Sequence, residues 1–335
     1  MSYQKAHVPS VHFPQFQEQL PDLSGKIIAI TGTTSGTGKV AAHTFAKKGA
    51  KVLMLNRPSN RATTAYEEIT AAYPTAEIIA VDCDLQSFES VQQAADKIKE
   101  ICPNGLYALV NNAGIMAMPD EATSAGFDVQ MHTNHLSHFL LTRELYPLLQ
   151  MWAKEHGDAR IVNHSSIARL SVPKLEAKYL ERNGGNLGGN GASMILGGAR
   201  WTRYGQTKLA NAAFTAALHH KLQACNSKVK ALVAHPGFAN TELQVTTGKA
   251  GGMATWYGWF TKYISQSAED GAMGIISCTA LKEAQSGAFY GPGKSISAMK
   301  GLAKPFALEA KYDNEATREL LWSKSCEAIG KDFEI

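Results

Sequence analysis

Cysteine is scarce in this chain and never grouped. Five residues, Cys83, Cys102, Cys225, Cys278 and Cys326, are odd in number and contain no CxxC pair. That argues against a disulfide framework and a cysteine zinc site, and it fits reduced thiols in an intracellular protein. No apolar run reaches the roughly 18–20 residues that a membrane span needs. Residues 1–26 lack the apolar core of a secretory signal. Nor does one charge dominate: 33 Lys and Arg stand against 29 Asp and Glu, a formal +4 in 335 residues. Nucleic acid would call for basic residues clustered on one face, so it is not expected as a partner. At 44% hydrophobic residues the chain is globular rather than disordered. The expectation is a soluble, cytoplasmic protein that holds a small anionic ligand with a few local cations.

What is present is alternation. After an arm over residues 1–24, broken by Pro9, Pro14 and Pro21, short apolar runs alternate with helical patterns. KIIAITG, AKVLMLN, AEIIAVDCDL, LYALVNNAG, ARIVNHSS, VKALVAHPG and GAFYGPG read as strands. Between them lie helices, including one long helix over FDVQMHTNHLSHFLLTRELYPLLQMWAKE and an alanine-rich one from Tyr204. This spacing predicts an α/β fold: a doubly wound parallel sheet of about seven strands with helices on both faces. No repeat, charge run or linker divides residues 25–335, which form one domain. Two segments break the rhythm: a glycine-rich insertion at 171–203 and an aromatic stretch at 242–266.

The first strand runs into Thr31-Gly32-Thr33-Thr34-Ser35-Gly36-Thr37-Gly38. Glycines here let the backbone turn tightly, approach a pyrophosphate and pack the next helix close, its N-terminus toward the phosphates. Gly32, Thr34, Ser35, Gly36, Thr37 and Gly38 are therefore candidate dinucleotide contacts. The second strand ends in Asn56-Arg57, where an NAD site would place an acid on the ribose 2′-hydroxyl. Arg57 can instead pair with a 2′-phosphate, which makes NADP the expected cofactor.

Further motifs follow in order: Asp84-Leu85, NNAG at 111–114, Asn134, IVNHSS at 161–166, Tyr204-x-x-x-Lys208 and HPG at 235–237. With the glycine-rich turn they resemble the short-chain dehydrogenase/reductase family over roughly residues 24–330. TNHLSHFLLT, Asn56-Arg57 and LANAAF look most like its retinol-dehydrogenase and WW-domain-oxidoreductase branch; protochlorophyllide reductases are similar too. The resemblance implies a Rossmann-type domain and a set of roles. Asp84, beside Leu85, would hold the adenine amino group. Asn111, Ala113 and Gly114 would line the adenosine ribose side and brace the central sheet, while Pro236, Gly237 and Thr241 would meet the nicotinamide end. In this family the long helices also commonly form a homodimer face, and Ala210, Ala213 and Ala217 would permit close approach. Two departures stand out. Thr37 replaces an aliphatic residue, and 38 residues separate the candidate Ser and Tyr, more than is usual.

Carbonyl reduction needs a hydride and a proton donor at the oxygen. A free tyrosine, near pKa ~10, is a poor base for the reverse reaction at neutral pH. A lysine four residues on lies on the same helical face, and its charge favours the phenolate. Tyr204 and Lys208 have this spacing, and Lys208 could also bond the nicotinamide ribose. Ser166 or its neighbour Ser165 would stabilise charge on the substrate oxygen; family alignment favours Ser166. Asn134 sits mid-helix, where asparagine calls for a reason, and the resemblance gives it a water-mediated relay to Lys208.

The histidines at 132, 135, 138, 164, 219 and 220 read as satisfied or surface residues, not metal ligands. The sequon Asn163-His-Ser falls in a predicted central strand and is discarded. The aromatic run Trp256, Tyr257, Trp259, Phe260 reads as a lid over a large hydrophobic substrate, as core packing, or as contact with a membrane surface. The insertion reads as a second pocket wall or a flexible excursion. The leading function is NADP-dependent carbonyl or alcohol oxidoreduction. Reduction of a conjugated C=C bond and a non-catalytic NADP-sensing scaffold remain as alternatives.

Overall fold

A computed structural model of the chain describes residues 8–193, 198–239, 247, 265–293 and 299–335. One sheet organises them. Its strands are β1 (Ile27–Thr31), β2 (Lys51–Asn56), β3 (Ile78–Asp82), β4 (Ala108–Asn111), β5 (Ala159–His164), β6 (Val229–Ala234), β7 (Ala288–Gly291) and β8 (Lys304–Ala307), in spatial order β3-β2-β1-β4-β5-β6-β7-β8. The first seven pair in parallel, and β8 runs antiparallel to β7 at the edge. Chain direction across the sheet reverses between β1 and β4. The carboxyl ends of these two strands therefore open a crevice, the place where such sheets bind ligands.

The helices are α1 (Phe13–Gln19), α2 (Gly36–Lys47), α3 (Asn60–Ala72), α4 (Phe88–Ile101), α5 (Val129–Met131), α6 (Ser137–His156), α7 (Ala199–Ala224), α8 (Ala268–Ala280) and α9 (Glu315–Ile329). In α4 the pattern is plain: Ser87 caps the first turn by accepting from the Ser90 amide, and Val91, Ala94, Ala95 and Ile98 fall on one buried stripe. Central strands are buried along their whole length, as parallel strands covered on both sides must be. Residues of α4, α6, α7 and α9 pack one core. Residues of α1, α2, α3 and α8 pack the other.

Four features differ from the sequence expectation. The sheet gains β8, whose four residues are mostly exposed. Within residues 1–24, Phe13–Gln19 form a helix with Pro14 in its first turn, where the missing N–H costs nothing. The Asp270 carboxylate holds that end, accepting from the backbone amides of Val11, His12 and Phe13. The long helix is interrupted: α5 passes into a π-helical turn, His132–Leu136, before α6 begins. Lastly, α9 lies on α7, with Trp322 against Phe214 and Phe139 and under Lys221. Ala210, Ala213 and Ala217 are consequently buried within the single chain.

Among the described residues, no helix is long and apolar enough to cross a membrane. Five histidines, His132, His135, His138, His164 and His235, are buried. Burial pushes their pKa values down, to about 4 for His132, His138 and His235 and about 3 for His135 and His164. The unfolded chain then binds more protons below its own histidine value of about 6.5, so stability falls as pH drops from there toward the folded values. Each histidine contributes a slope of up to about 1.4 kcal/mol per pH unit. Thermal melts should therefore lose stability steeply from pH 6.5 to pH 5, above the range in which ordinary carboxylates protonate. An unchanged melting temperature across that interval would mean that these rings are not held neutral.

Candidate active site

The glycine-rich turn follows β1 and opens α2. Gly32 has φ +73°, and a Cβ there would meet the Ala113 Cβ at 2.8 Å. At Gly38 a Cβ would lie 2.2 Å from the Gly32 carbonyl oxygen. Both positions therefore exclude larger residues. Ser35 precedes α2 in extended conformation and makes no side-chain cap, and no acidic residue sits in the first turn. The amides of Gly36, Thr37 and Gly38 are thus left for an anion. Thr34 and Ser35 stay half-exposed on the same turn. Asn56 locks the turn to the end of β2: its Oδ1 accepts from the Thr33 amide (2.8 Å) and its Nδ2 donates to Thr33 Oγ1 (2.7 Å). Next to it Arg57 is exposed, with no acidic partner among the described residues.

Asp84 follows the end of β3, half-buried, and its carboxylate accepts from the Gln86 amide (3.0 Å). Leu85 is core, and its carbonyl accepts from Ser137. Asn111 ends β4 with its side chain buried. Its Nδ2 donates to Thr142 (3.0 Å) and Asn163 (2.9 Å), so the side chain braces β4 to β5 and α6. Ala113 contributes its amide to Thr31 Oγ1 (2.9 Å). Pro236 and Gly237 form the turn after β6, with the Gly237 amide donating to His235 Nδ1 (3.1 Å). Thr241 and the aromatic run 256–260 lie outside the described residues, as does most of 242–266. Thr247 is described: it is buried and donates to the Met116 carbonyl (2.9 Å).

At the other end of the crevice, β5, α7 and the π-turn bring four side chains together. Ser165 turns back and donates to the Lys208 carbonyl (2.6 Å), while Ser166 Oγ accepts from the Ala168 amide (3.2 Å) and lies beside the Tyr204 phenol. Lys208 Nζ donates to the His164 carbonyl (3.1 Å) and stands 5.7 Å from the centroid of the Tyr204 ring. Asn134 is fully buried in the π-turn. Its Oδ1 accepts from the Ile115 amide (2.8 Å), and its Nδ2 donates to the Ile115 carbonyl (2.9 Å) and Thr207 (3.0 Å). Gly114 fits between these groups: a Cβ there would meet Asn134 Oδ1 at 3.1 Å and Lys208 Nζ at 3.4 Å.

Without a bound cofactor, burial pushes the Tyr204 phenol up to about 12, opposed by Ser166. Burial also drives Lys208 down to about 8. Desolvation disfavours the charged form of each group.

A family model described as short chain dehydrogenase matches residues 26–179. Retinol dehydrogenase 12 of Mus musculus is 30% identical over 317 residues, covering 93% of this chain and 89% of that protein. The chain belongs to the short-chain dehydrogenase family. An uncharacterized oxidoreductase of Schizosaccharomyces pombe is 37% identical over 228 residues, 67% of this chain and 63% of that protein. The crystal structure of an uncharacterized protein from Mycobacterium paratuberculosis superposes with a TM-score of 0.72 at 28% identity, covering 98% of this chain and all of that one. Short-chain dehydrogenases bind a nicotinamide cofactor and act as oxidoreductases on small molecules. The uncapped start of α2 and the glycine cradle fit such a dinucleotide.

Sequence reasoning missed Asn112. Its Nδ2 donates to the carbonyls of Thr31 (2.8 Å) and Gly32 (3.2 Å); its Oδ1 accepts from Thr37 (3.1 Å) and His164 Nδ1 (2.9 Å). That uses all four bonding sites of the amide. Thr37, the departure from an aliphatic residue, is thereby explained. His138 also went unassigned: it accepts from Thr31 at Nε2 and donates from Nδ1 to the Asn134 carbonyl. Polar residues buried at strand ends were the available signal. Replacing Gly38 by Ala puts a methyl into the Gly32 carbonyl and the Asn112 amide. The variant should bind its nicotinamide dinucleotide at least about tenfold more weakly, the change that about 1.4 kcal/mol makes. Fluorescence titration reads this, and unaltered affinity would mean that the turn does not carry the phosphates.

Proposed function

We propose that the protein is an NADP-dependent oxidoreductase that interconverts the carbonyl and alcohol of a bulky, mostly apolar substrate, with Tyr204 as proton donor and acceptor. The observation that carries this reading is the convergence of Ser166, Tyr204 and Lys208 around one buried point beside an open dinucleotide cradle. The bound cofactor supplies the hydride. Tyr204, held protonated by burial, donates to the carbonyl oxygen during reduction. Ser166 hydrogen-bonds that oxygen as negative charge develops on it. Lys208 holds its ammonium against the His164 carbonyl, and Asn134 fixes the Ile115 backbone beside it. Burial keeps the phenol protonated at neutral pH, so the resting site carries the proton that carbonyl reduction consumes.

Arg57 supports NADP over NAD, because its guanidinium is exposed and position 56 is a neutral amide committed to Thr33. Asp84, Leu85, Ala113, Gly114, Pro236, Gly237 and Thr241 complete the cofactor contacts in this reading. The bulky substrate rests on the aromatics of 256–260 and on the likeness to a protein named retinol dehydrogenase. The buried Thr247 fastens one point of 242–266 to the loop after β4, beside Ile115, as a lid would require. We assign the protein to the cytoplasm on the strength of its five free thiols.

Two substitutions test the reading. Tyr204→Phe keeps the ring and removes the proton, so steady-state kcat should fall by more than about 10²-fold, the lower range for a general acid, while NADPH still binds. Substantial residual turnover would sink the assignment. Arg57→Leu should weaken NADP much more than NAD in parallel titrations. Equal losses, or a wild-type preference for NAD, would remove the cofactor assignment and leave the proton chemistry standing.

A further inference from the structure

The glycine-rich insertion is held by a buried charge cluster that no part of the proposed chemistry uses. Arg203 immediately precedes Tyr204 and is completely buried, with Asp120 and Asp128 around it at 3% and 1% side-chain exposure. Its Nε lies 3.2 Å from Asp128 Oδ1. One terminal nitrogen donates to the Leu187 (3.1 Å) and Gly189 (2.9 Å) carbonyls, and the other to the Met118 carbonyl (3.2 Å). Asp120 works from the opposite side. Its Oδ2 accepts from the amides of the same two residues, Leu187 (2.9 Å) and Gly189 (2.7 Å). Leu187 and Gly189 are thus gripped through both their N–H and C=O groups. Asp128 joins a third element by accepting from the Gln130 and Met131 amides at the start of α5.

These ties converge on the reaction face. Met118 and Asp120 belong to the loop that carries Gly114 and Ile115, against which Asn134 is bonded. One turn before Tyr204, Trp201 sets its ring edge-on to the tyrosine at 6.1 Å and donates its indole N–H to the Ala192 carbonyl of the insertion (3.1 Å). A buried, multiply bonded guanidinium is costly to desolvate, so it favours one arrangement of its partners over alternatives. We infer that Arg203 and Asp120 are positioning residues that clamp the insertion against the loop after β4, fixing with Trp201 a preformed wall of the substrate pocket that discriminates by substrate bulk. The wall takes the apolar body of the substrate, and the clamp sets the opening into which that body must fit.

The pocket role rests on the oxidoreductase reading, but the clamp does not, so two measurements separate them. Arg203→Leu would leave two buried carboxylates unpaired and endanger folding; Asp120 is the better target. Asp120→Ala removes the grip on Leu187 and Gly189 and leaves Arg203 its partner Asp128. Asp120→Asn keeps an acceptor of the same shape. Hydrogen exchange should quicken across residues 184–191 in Asp120→Ala and stay slow in Asp120→Asn. With NADPH as cofactor, Asp120→Ala should raise KM for a bulky aryl ketone by roughly tenfold, the change that about 1.4 kcal/mol of lost positioning makes. KM for a short aldehyde should change little, the NADPH dissociation constant should not move, and Asp120→Asn should restore most of the KM. Unchanged exchange in Asp120→Ala overturns the clamp. Equal losses for bulky and short substrates, carried by kcat, overturn the wall and leave a merely structural cluster. A wild-type protein with no turnover but with the expected exchange pattern refutes the oxidoreductase reading, and with it the pocket role, while the clamp stands.

Discussion

The site depends on satisfying the polar backbone where β1 and β4 end, in a region from which the two cores exclude water. The Asn112 amide does most of this. It holds two carbonyls of the glycine-rich turn, the Thr37 hydroxyl and the His164 ring, with every bonding position filled. His164 in turn presents its carbonyl to Lys208 Nζ and Asn211. One hydrogen-bonded chain therefore joins the phosphate end of the crevice to the lysine at the reacting end. Thr31 starts a second chain through His138 to the Asn134 carbonyl. Orphaning any one of these buried groups would cost about 1–3 kcal/mol. The geometry at both ends is accordingly set by the same few side chains.

Much of this was legible in the sequence, for physical reasons. Fully buried strands such as ALVN and ARIVNH must read as apolar runs, and a turn forced together as tightly as Gly32 and Gly38 must read as glycine. Tyr204 and Lys208 fall together because the helix period puts them there. The misses are equally physical. In α9 only Leu321, Ser325 and Ala328 are fully buried, and the partly buried Trp322, Cys326 and Ile329 complete the face that packs on the core. In α1 only Phe13 is buried, and its stability comes from Asp270, 257 residues away in the chain. The π-turn around Asn134 leaves no mark on the hydrophobic pattern. It does explain why asparagine is tolerated there, since the side chain is bonded at both ends. The rise in the Tyr204 pKa was hidden because spacing reports proximity to a lysine and says nothing of solvent.

The histidines show the same limit. Several of the buried rings are structural joints. His138 and His164 sit at the crossing points of the two polar chains, and His135 bonds Ser325 across to α9. Their burial is tolerated because the rings stay neutral, and His138 and His164 donate from Nδ1 to the Asn134 carbonyl and Asn112 Oδ1. The same choice that makes the central layer rigid at neutral pH makes it sensitive to acid.

Rigidity is unevenly spread, and this bears on where substrate choice can reside. Residues 203–218 of α7 are buried without a break, enclosed by the sheet, the π-turn and α9. Tyr204 and Lys208 therefore ride on a helix that cannot shift without opening the core. The loops that meet at its start are different. The insertion sends Val172, Leu175, Tyr179, Leu180 and Leu187 into the core, and its glycine-rich part is held by carbonyl and amide bonds to Arg203, Asp120 and Trp201. Such bonds fix backbone position without specifying the side chains between them. The wide separation of Ser166 and Tyr204 thus adds chain beside α7 while Tyr204 and Lys208 themselves stay anchored in that helix. A fold that divides its labour this way can change what it accepts by altering loop residues, without disturbing how it reacts.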